Sequence, residues 1–334
     1  MSPVIGVLGA GSWGTALADL LARRGHEVTI WAREPEVVAG VNDRRENSLF
    51  LEGVALHPTL VAVGDPEGAV ARADIIVSAA PSHAVRTVIR QARPAIAREA
   101  VVVSVSKGLE PESLARMSEV LADELPDGQA VAALSGPTFA REVAERQPTA
   151  LVVASQVRGA AEVVQSAFTA PTFRVYTAAD VIGAELGGAL KNVIAIAAGI
   201  LEGLGLGYNP RAALITRGLA EMARLGGAMG ADPLTFAGLA GIGDLVLTAT
   251  GGLSRNRSLG VEIGQGRTLE EVLGERRTVA EGVGTARAAV TLGQRHGVEL
   301  PIAEQVAAIL FEGKRASQAI QELMERVPKP EQWR

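Results

Sequence analysis

The first 180 residues alternate short β-branched runs with amphipathic segments of helix length, and the alternation then stops. Candidate strands lie at 4–8, 28–31, 60–63, 75–79, 101–105, 130–134, 150–154 and 173–176. Segments such as 15–24, 83–90 and 113–125 fall between them and carry apolar residues at helical spacing. Strands joined through helices pair mostly in parallel, and the helices cover both faces of the sheet. From Asp180 onward no strand pattern is found. Ala/Leu/Gly-rich helical segments follow at 181–203, 210–229, 232–237, 254–264, 285–296 and 302–311. Pro210 suits a first helical turn, and Asp232 before Pro233 reads as a cap followed by its favoured first residue. The expected architecture is therefore an α/β domain over residues 1–179 and an all-α domain over 180–334. The two are expected to share a cleft, and the tail after Val327 to fray.

Composition narrows the function. A chain of 334 residues can bury a large core in two domains. With 3% aromatics, that core must be built from Ala, Val, Leu and Ile. The net charge of −5, with no basic block, argues against nucleic acid as a partner. Without cysteine there are no disulfides, iron–sulfur clusters or thiolate catalysis, and four scattered histidines offer no metal-ligand spacing, so no metal is expected. The N-terminus enters an apolar run at Val4 with no basic leader. No run of about 20 uncharged apolar residues occurs without Lys191 or Asp244 inside it. A soluble, cytoplasmic chain without stable membrane insertion is expected.

Gly9-Ala10-Gly11-Ser12-Trp13-Gly14 follows the first strand and opens a helix. This G-x-G-x-x-G spacing permits a tight turn, backbone approach to a pyrophosphate and close helix packing, with the helix N-terminus facing the anion. The plainer alternative is an ordinary glycine-rich turn. After the second strand, where an acid would bind the ribose 2′-OH of NAD, the chain reads Ala32-Arg33. Arg33 suits a 2′-phosphate and favours NADPH; the alternative is a solvated arginine beside Glu34.

Only four of 32 basic residues are lysine (Lys107, Lys191, Lys314, Lys329). Lys191 is the sole charge between residues 186 and 201, LGGALKNVIAIAAGIL. A buried lysine can have its pKa lowered by ~3–5 units and so cycle a proton, which arginine cannot. Its neighbours at helical spacing, Gly187, Gly188, Ile194 and Ala195, are mostly small, which suggests room for something bulky near the amine. Asp244 is the sole charge between Pro233 and Ser254. A buried carboxylate needs a partner, and Lys191 is the obvious one; a helix cap after Gly243 is the competing reading.

Three further segments sit where ligands bind. Lys107, at the end of the fifth strand, can polarise a carbonyl or neutralise a phosphate, or be a plain loop lysine. Gly136-Pro137-Thr138 joins a strand end to an expected helix start, where free N–H groups suit an anion or a substrate hydroxyl, or simply a capped helix. Ser254-Arg255-Asn256-Arg257 opens a helix with a serine cap, an arginine and an asparagine, an anion-binding constellation. The helix terminus alone contributes ~0.3–1 kcal/mol, so a phosphate needs the side chains too.

Taken in order, GAGSWGTAL (9–17), SKGLEP (106–111), LSGPTFAREVA (134–144), ALKNVIAIAAGI (189–200), GLAGIGDLVLT (238–248), LSRNRSLG (253–260) and VAEGVGTA (279–286) make the chain resemble bacterial NAD(P)-dependent glycerol-3-phosphate dehydrogenase over nearly its whole length. The resemblance implies a Rossmann-like domain and a helical substrate domain, usually in a homodimer. The implied reaction is reduction of dihydroxyacetone phosphate, a small phosphorylated triose, to sn-glycerol 3-phosphate for phospholipid synthesis. NADPH is the expected cofactor, with NADH possible in its place. By motif, Ser12, Trp13, Arg33, Lys107, Ala140, Arg255, Val279 and Glu281 would contact the cofactor. Lys107, Gly136, Thr138, Lys191, Asp244, Ser254, Arg255 and Asn256 would hold the substrate. Phe50 stands where the family often has tyrosine, and Thr138 where it often has serine. Lys191 is the expected proton donor and acceptor, Lys107 the stabiliser of developing charge, and Asp244 the group that orients Lys191.

Overall fold

The computed structural model describes residues 2–275, 280–328, 330 and 331. The chain divides into two compact units, Met1–Glu185 and Leu186–Arg334. The division falls within the long helix Val181–Gly203, a few residues beyond the expected boundary.

The first unit holds eight strands: β1 (Val4–Leu8), β2 (Glu27–Trp31), β3 (Val61–Val63), β4 (Ile75–Ser78), β5 (Val101–Ser104), β6 (Ala130–Ser135), β7 (Thr149–Ala154) and β8 (Phe173–Ala178). Their order in the sheet is β3-β2-β1-β4-β5-β6-β7-β8. All neighbours are parallel except β6 and β7. The α/β fold with a mostly parallel sheet is thus as expected, with one antiparallel pair.

The central strands form because both their faces are buried, while the edge strands β3 and β8 keep exposed positions. Ile5, Val7, Val77 and Val103 point into one core, and Leu8, Ile76 and Val102 into the other. A strand covered on both sides reads as a continuous apolar run, which is why 75–77 and 101–103 carry no polar residue. The strand order reverses direction between β1 and β4, and such a switch point leaves a crevice beyond the carboxyl ends of the strands. The turn that leaves β1 is the glycine hexapeptide.

Among the described residues, the second unit is helical throughout, as expected. Its central helix, Val181–Gly203, meets the length and composition of a bilayer span, yet 94% of its apolar window is buried inside the protein. It is a core helix. Helix Arg255–Gly264 lies so close to it that a Cβ on Gly260 would collide with the Ile196 carbonyl. Backbones approach this closely only where side chains are absent.

Candidate functional site

In the first unit the glycine turn leaves β1 and opens helix Ser12–Arg23. Gly9 has φ +121°, a conformation that a side chain disfavours. A Cβ on Gly14 would collide with the Gly9 carbonyl oxygen, so this glycine serves internal packing. Gly11 differs: it is extended (φ −65°, ψ 177°), and a Cβ there would meet nothing within 4 Å. The protein itself does not require Gly11 to be glycine. Open space beside it, at the start of helix Ser12–Arg23, is what a bound diphosphate would use.

The first helical N–H groups receive no side-chain cap from Gly11. Ser12 Oγ donates to the Phe50 carbonyl at 2.6 Å, so the Phe50 position contacts the turn through its backbone. The Trp13 indole N–H is buried with no hydrogen-bond partner among the described residues. Asn47, which the sequence reading missed, fastens this loop. Its side chain donates to the Ala10 carbonyl at 2.9 Å and to Thr15 Oγ1 at 2.8 Å, and accepts from Phe50 N–H at 3.2 Å. An asparagine among polar loop residues gave no signal. The residues present therefore fit a dinucleotide.

Arg33 leaves β2 with its side chain 83% exposed, and it donates through Nε and Nη2 to Glu34. Both readings of this arginine survive, since it is solvated and paired yet open to an anion.

Lys107 Nζ donates to the Gly136 carbonyl at 2.6 Å and to Thr138 Oγ1 at 2.9 Å. The three residues singled out separately in sequence thus meet in space. One expectation is corrected here. No helix starts at Pro137: the helix is Ala140–Ala144, with Phe139 at its cap position. Gly136, at φ +142°, diverts the chain where a Cβ would crowd Leu151, and the bend spans Gly136 and Pro137. The Thr138 hydroxyl is used locally, donating to the Gly136 carbonyl at 3.1 Å. Ala140 begins its helix against helix Ser12–Arg23.

In the second unit, Lys191 Nζ lies 2.5 Å from Asp244 Oδ1, with side chains 7% and 1% exposed. Lys191 also donates to Thr248 Oγ1 at 2.8 Å. Thr248 donates in turn to the Asp244 backbone carbonyl at 2.7 Å. Asp244 is the first residue of helix Asp244–Thr250, whose cap position is Gly243, so its carboxylate faces the lysine rather than capping. Thr248 went unrecognised in the sequence because a helical threonine normally satisfies its hydroxyl on its own backbone.

The open stripe expected beside Lys191 is partly wrong. A Cβ on Gly187 would collide with the Ala240 carbonyl oxygen. That glycine admits the protein's own backbone, not a ligand.

Ser254 caps helix Arg255–Gly264 as expected, accepting from Arg257 N–H at 3.2 Å. Asn256 is buried and mostly committed: its Nδ2 donates to Asn192 Oδ1 at 2.9 Å, and its Oδ1 accepts from Gly282 N–H at 3.0 Å. One amide hydrogen remains beyond these two bonds, because an amide nitrogen carries two. Asn192, a third residue overlooked in the sequence, therefore fixes which way that amide points. Arg255 is exposed and lies within electrostatic reach of the Glu281 carboxylate. Arg257, by contrast, is tied to Glu202 at 2.5 Å and belongs to the scaffold. Glu281 opens helix Glu281–His296, and Val279 lies outside the described residues.

Chemically, the second unit offers a buried ammonium held by a carboxylate and a hydroxyl, plus an arginine and an oriented amide. The first offers a glycine turn at a helix start and a second ammonium.

Comparison with known proteins gives these groups a context. The family model described as the N-terminus of NAD-dependent glycerol-3-phosphate dehydrogenase matches residues 4–161, and that of its C-terminus matches residues 180–321. A glycerol-3-phosphate dehydrogenase (NAD(P)+) of Geobacter sp. strain M21 is 57% identical over 333 residues, covering 99% of both chains. That of Moorella thermoacetica is 51% identical over 326 residues, covering 98% of this chain and 97% of its own. Among solved structures, glycerol-3-phosphate dehydrogenase from Coxiella burnetii superposes with a TM-score of 0.92 at 41% identity, over 97% of this chain and 99% of that one. A ketopantoate reductase from Ralstonia eutropha JMP134 reaches a TM-score of 0.61 at 18% identity, a likeness of fold alone. With both halves matched, and relatives more than half identical along their full length, the chain belongs to the NAD-dependent glycerol-3-phosphate dehydrogenase family.

Proposed function

We infer that this chain catalyses the reversible NAD(P)H-dependent reduction of dihydroxyacetone phosphate to sn-glycerol 3-phosphate, the precursor of glycerophospholipids. The observation that carries the reading is the buried Lys191–Asp244–Thr248 cluster, an ammonium held in an apolar helix by a carboxylate and a hydroxyl. When bound, the nicotinamide supplies hydride for the carbonyl carbon. Lys191 gives the proton to the oxygen, and takes it back in the oxidation direction. Such a positioned acid–base contributes ~10²–10⁴-fold. Asp244 holds Lys191 aimed. Lys107, itself steadied by Gly136 and Thr138, stabilises negative charge on the ketone oxygen. Arg255 and Asn256 bind the substrate phosphate at the helix capped by Ser254.

Gly9, Gly11, Ser12, Trp13 and Gly14 hold the dinucleotide diphosphate, with Ala140 adding a contact from the same unit. Arg33 takes the 2′-phosphate, so NADPH is preferred over NADH. In this reading residues 1–179 serve the dinucleotide and 180–334 the substrate. The chain works as a cytoplasmic homodimer; Tyr208 and Leu234, 84% and 77% exposed, offer apolar surface for self-association.

Oxidation of NADPH in the presence of dihydroxyacetone phosphate tests the reading. Turnover should require the phosphate, with unphosphorylated dihydroxyacetone a far poorer substrate. Turnover of a carboxylate substrate such as ketopantoate, and none of the triose phosphate, would overturn it.

A further inference from the structure

We propose that Glu34 is a built-in competitor for Arg33, and that it determines how strictly the protein demands a phosphate on the ribose of its dinucleotide. The inference rests on the reading that the glycine turn holds NADPH or NADH.

The chain leaves β2 as Ala32-Arg33-Glu34 before helix Pro35–Ala39. Arg33 donates to a single oxygen of Glu34, from Nε at 3.0 Å and from Nη2 at 2.8 Å. The second oxygen, Oε2, accepts no hydrogen bond among the described residues. Glu34 occupies the cap position of its helix, but its side chain makes no capping bond. Its carboxylate is therefore not needed by the local fold, and Arg33 is its only side-chain partner among the described residues.

That arrangement treats the two dinucleotides oppositely. A 2′-phosphate carries nearly two negative charges near neutral pH and is drawn to the Arg33 guanidinium. To reach it, the phosphate must displace the Glu34 carboxylate or bind beside a like charge. A 2′-hydroxyl brings no charge and can donate a hydrogen bond, for which a carboxylate after the second strand is the usual acceptor. Arg33 thus favours the phosphorylated form and Glu34 the unphosphorylated one. Because Arg33 is 83% exposed, its ion pair with Glu34 is a weak, solvent-screened one that an incoming ligand can open. The pair makes the site tolerant of both dinucleotides rather than committed to one. Glu34 acts here as a positioning and selecting group, not a catalytic one.

The test is direct binding of NADPH and of NADH to the full chain by titration calorimetry, at low and at high salt. Glu34→Gln should raise the NADPH-to-NADH affinity ratio by about 3- to 10-fold, tightening NADPH and loosening NADH. The shift should shrink at high salt, since exposed charges are screened. Glu34→Asp should keep the wild-type ratio, and Arg33→Gln should move it toward NADH. An unchanged ratio in Glu34→Gln overturns the proposal. Equal weakening of both ligands also overturns it, because that is the mark of structural support. Wild-type protein that binds neither dinucleotide would instead overturn the reading of the glycine turn on which the proposal stands.

Discussion

Gly187 meets the backbone of Ala240 so closely that a Cβ on it would lie 3.0 Å from the Ala240 carbonyl carbon and collide with its oxygen. Gly187 sits one helical turn before Lys191, and Ala240 four residues before Asp244. The spacing of the buried ion pair is therefore set by backbone packing one step away from it. Gly187→Ala should push the two segments apart, destabilising the protein by about 1–3 kcal/mol. It should also lower kcat on the order of ten- to a hundredfold, because small displacements of a catalytic group are costly. Thermal unfolding and steady-state kinetics measure both; an unaltered kcat would separate the packing from the chemistry.

Gly11 and Gly14 lie three residues apart in one motif and should behave differently. Gly14→Ala forces a Cβ into the Gly9 carbonyl, so its melting temperature should fall along with dinucleotide binding. Gly11→Ala places its Cβ in open space and should leave the melting temperature within about 2 °C of wild type, consistent with the small effect of surface changes. It should still weaken NADPH by about tenfold or more, as the new methyl occupies the approach to the diphosphate. Calorimetric titration alongside a melting curve distinguishes the two.

Two carboxylates give the folded state opposite pH responses. Burial is the main cause that pushes Glu221 up from its ordinary 4.5 to about 7, despite backbone hydrogen bonds from Ile302 and Ala303. The folded protein then keeps a proton that the unfolded chain releases, so stability is present below pH 4.5 and is lost as pH rises through about 7. That loss amounts to about 3 kcal/mol. Glu124 is held down to about 2, chiefly by its hydrogen bonds with Arg90 and Arg86. Its contribution is present above 4.5 and is lost as pH falls through about 2. Urea unfolding at a series of pH values should show Glu221→Gln flattening the upper window and Glu124→Gln the lower one.

Much of the architecture is legible in the sequence, for physical reasons. All eight strands are visible: the central ones, such as 75–77 and 101–103, because a doubly covered strand is a continuous apolar run, and the edge strand 173–178 through β-branched and aromatic residues beside an exposed face. Helices of a single turn, such as Pro35–Ala39 and Pro66–Val70, are not visible, because five residues carry no period. The Lys191–Asp244 pair is legible because each charge stands alone in an apolar stretch, where only mutual pairing offsets burial. Partners that need no charge are not. Thr248, Asn47 and Asn192 are ordinary polar residues until the fold brings them to Lys191, the glycine turn and Asn256. Gly187 is misread for a related reason: a missing side chain looks the same whether a ligand or a neighbouring backbone fills the space.

The most direct measurement is turnover of dihydroxyacetone phosphate by Lys191→Ala and Lys191→Arg at saturating NADPH, with dinucleotide affinity measured on the same preparations. If Lys191 moves the proton, both variants should bind NADPH as the wild type does yet lose about 10²–10⁴-fold in kcat, the arginine included because its guanidinium keeps its proton. Turnover within a few-fold of wild type in Lys191→Ala would contradict the assignment.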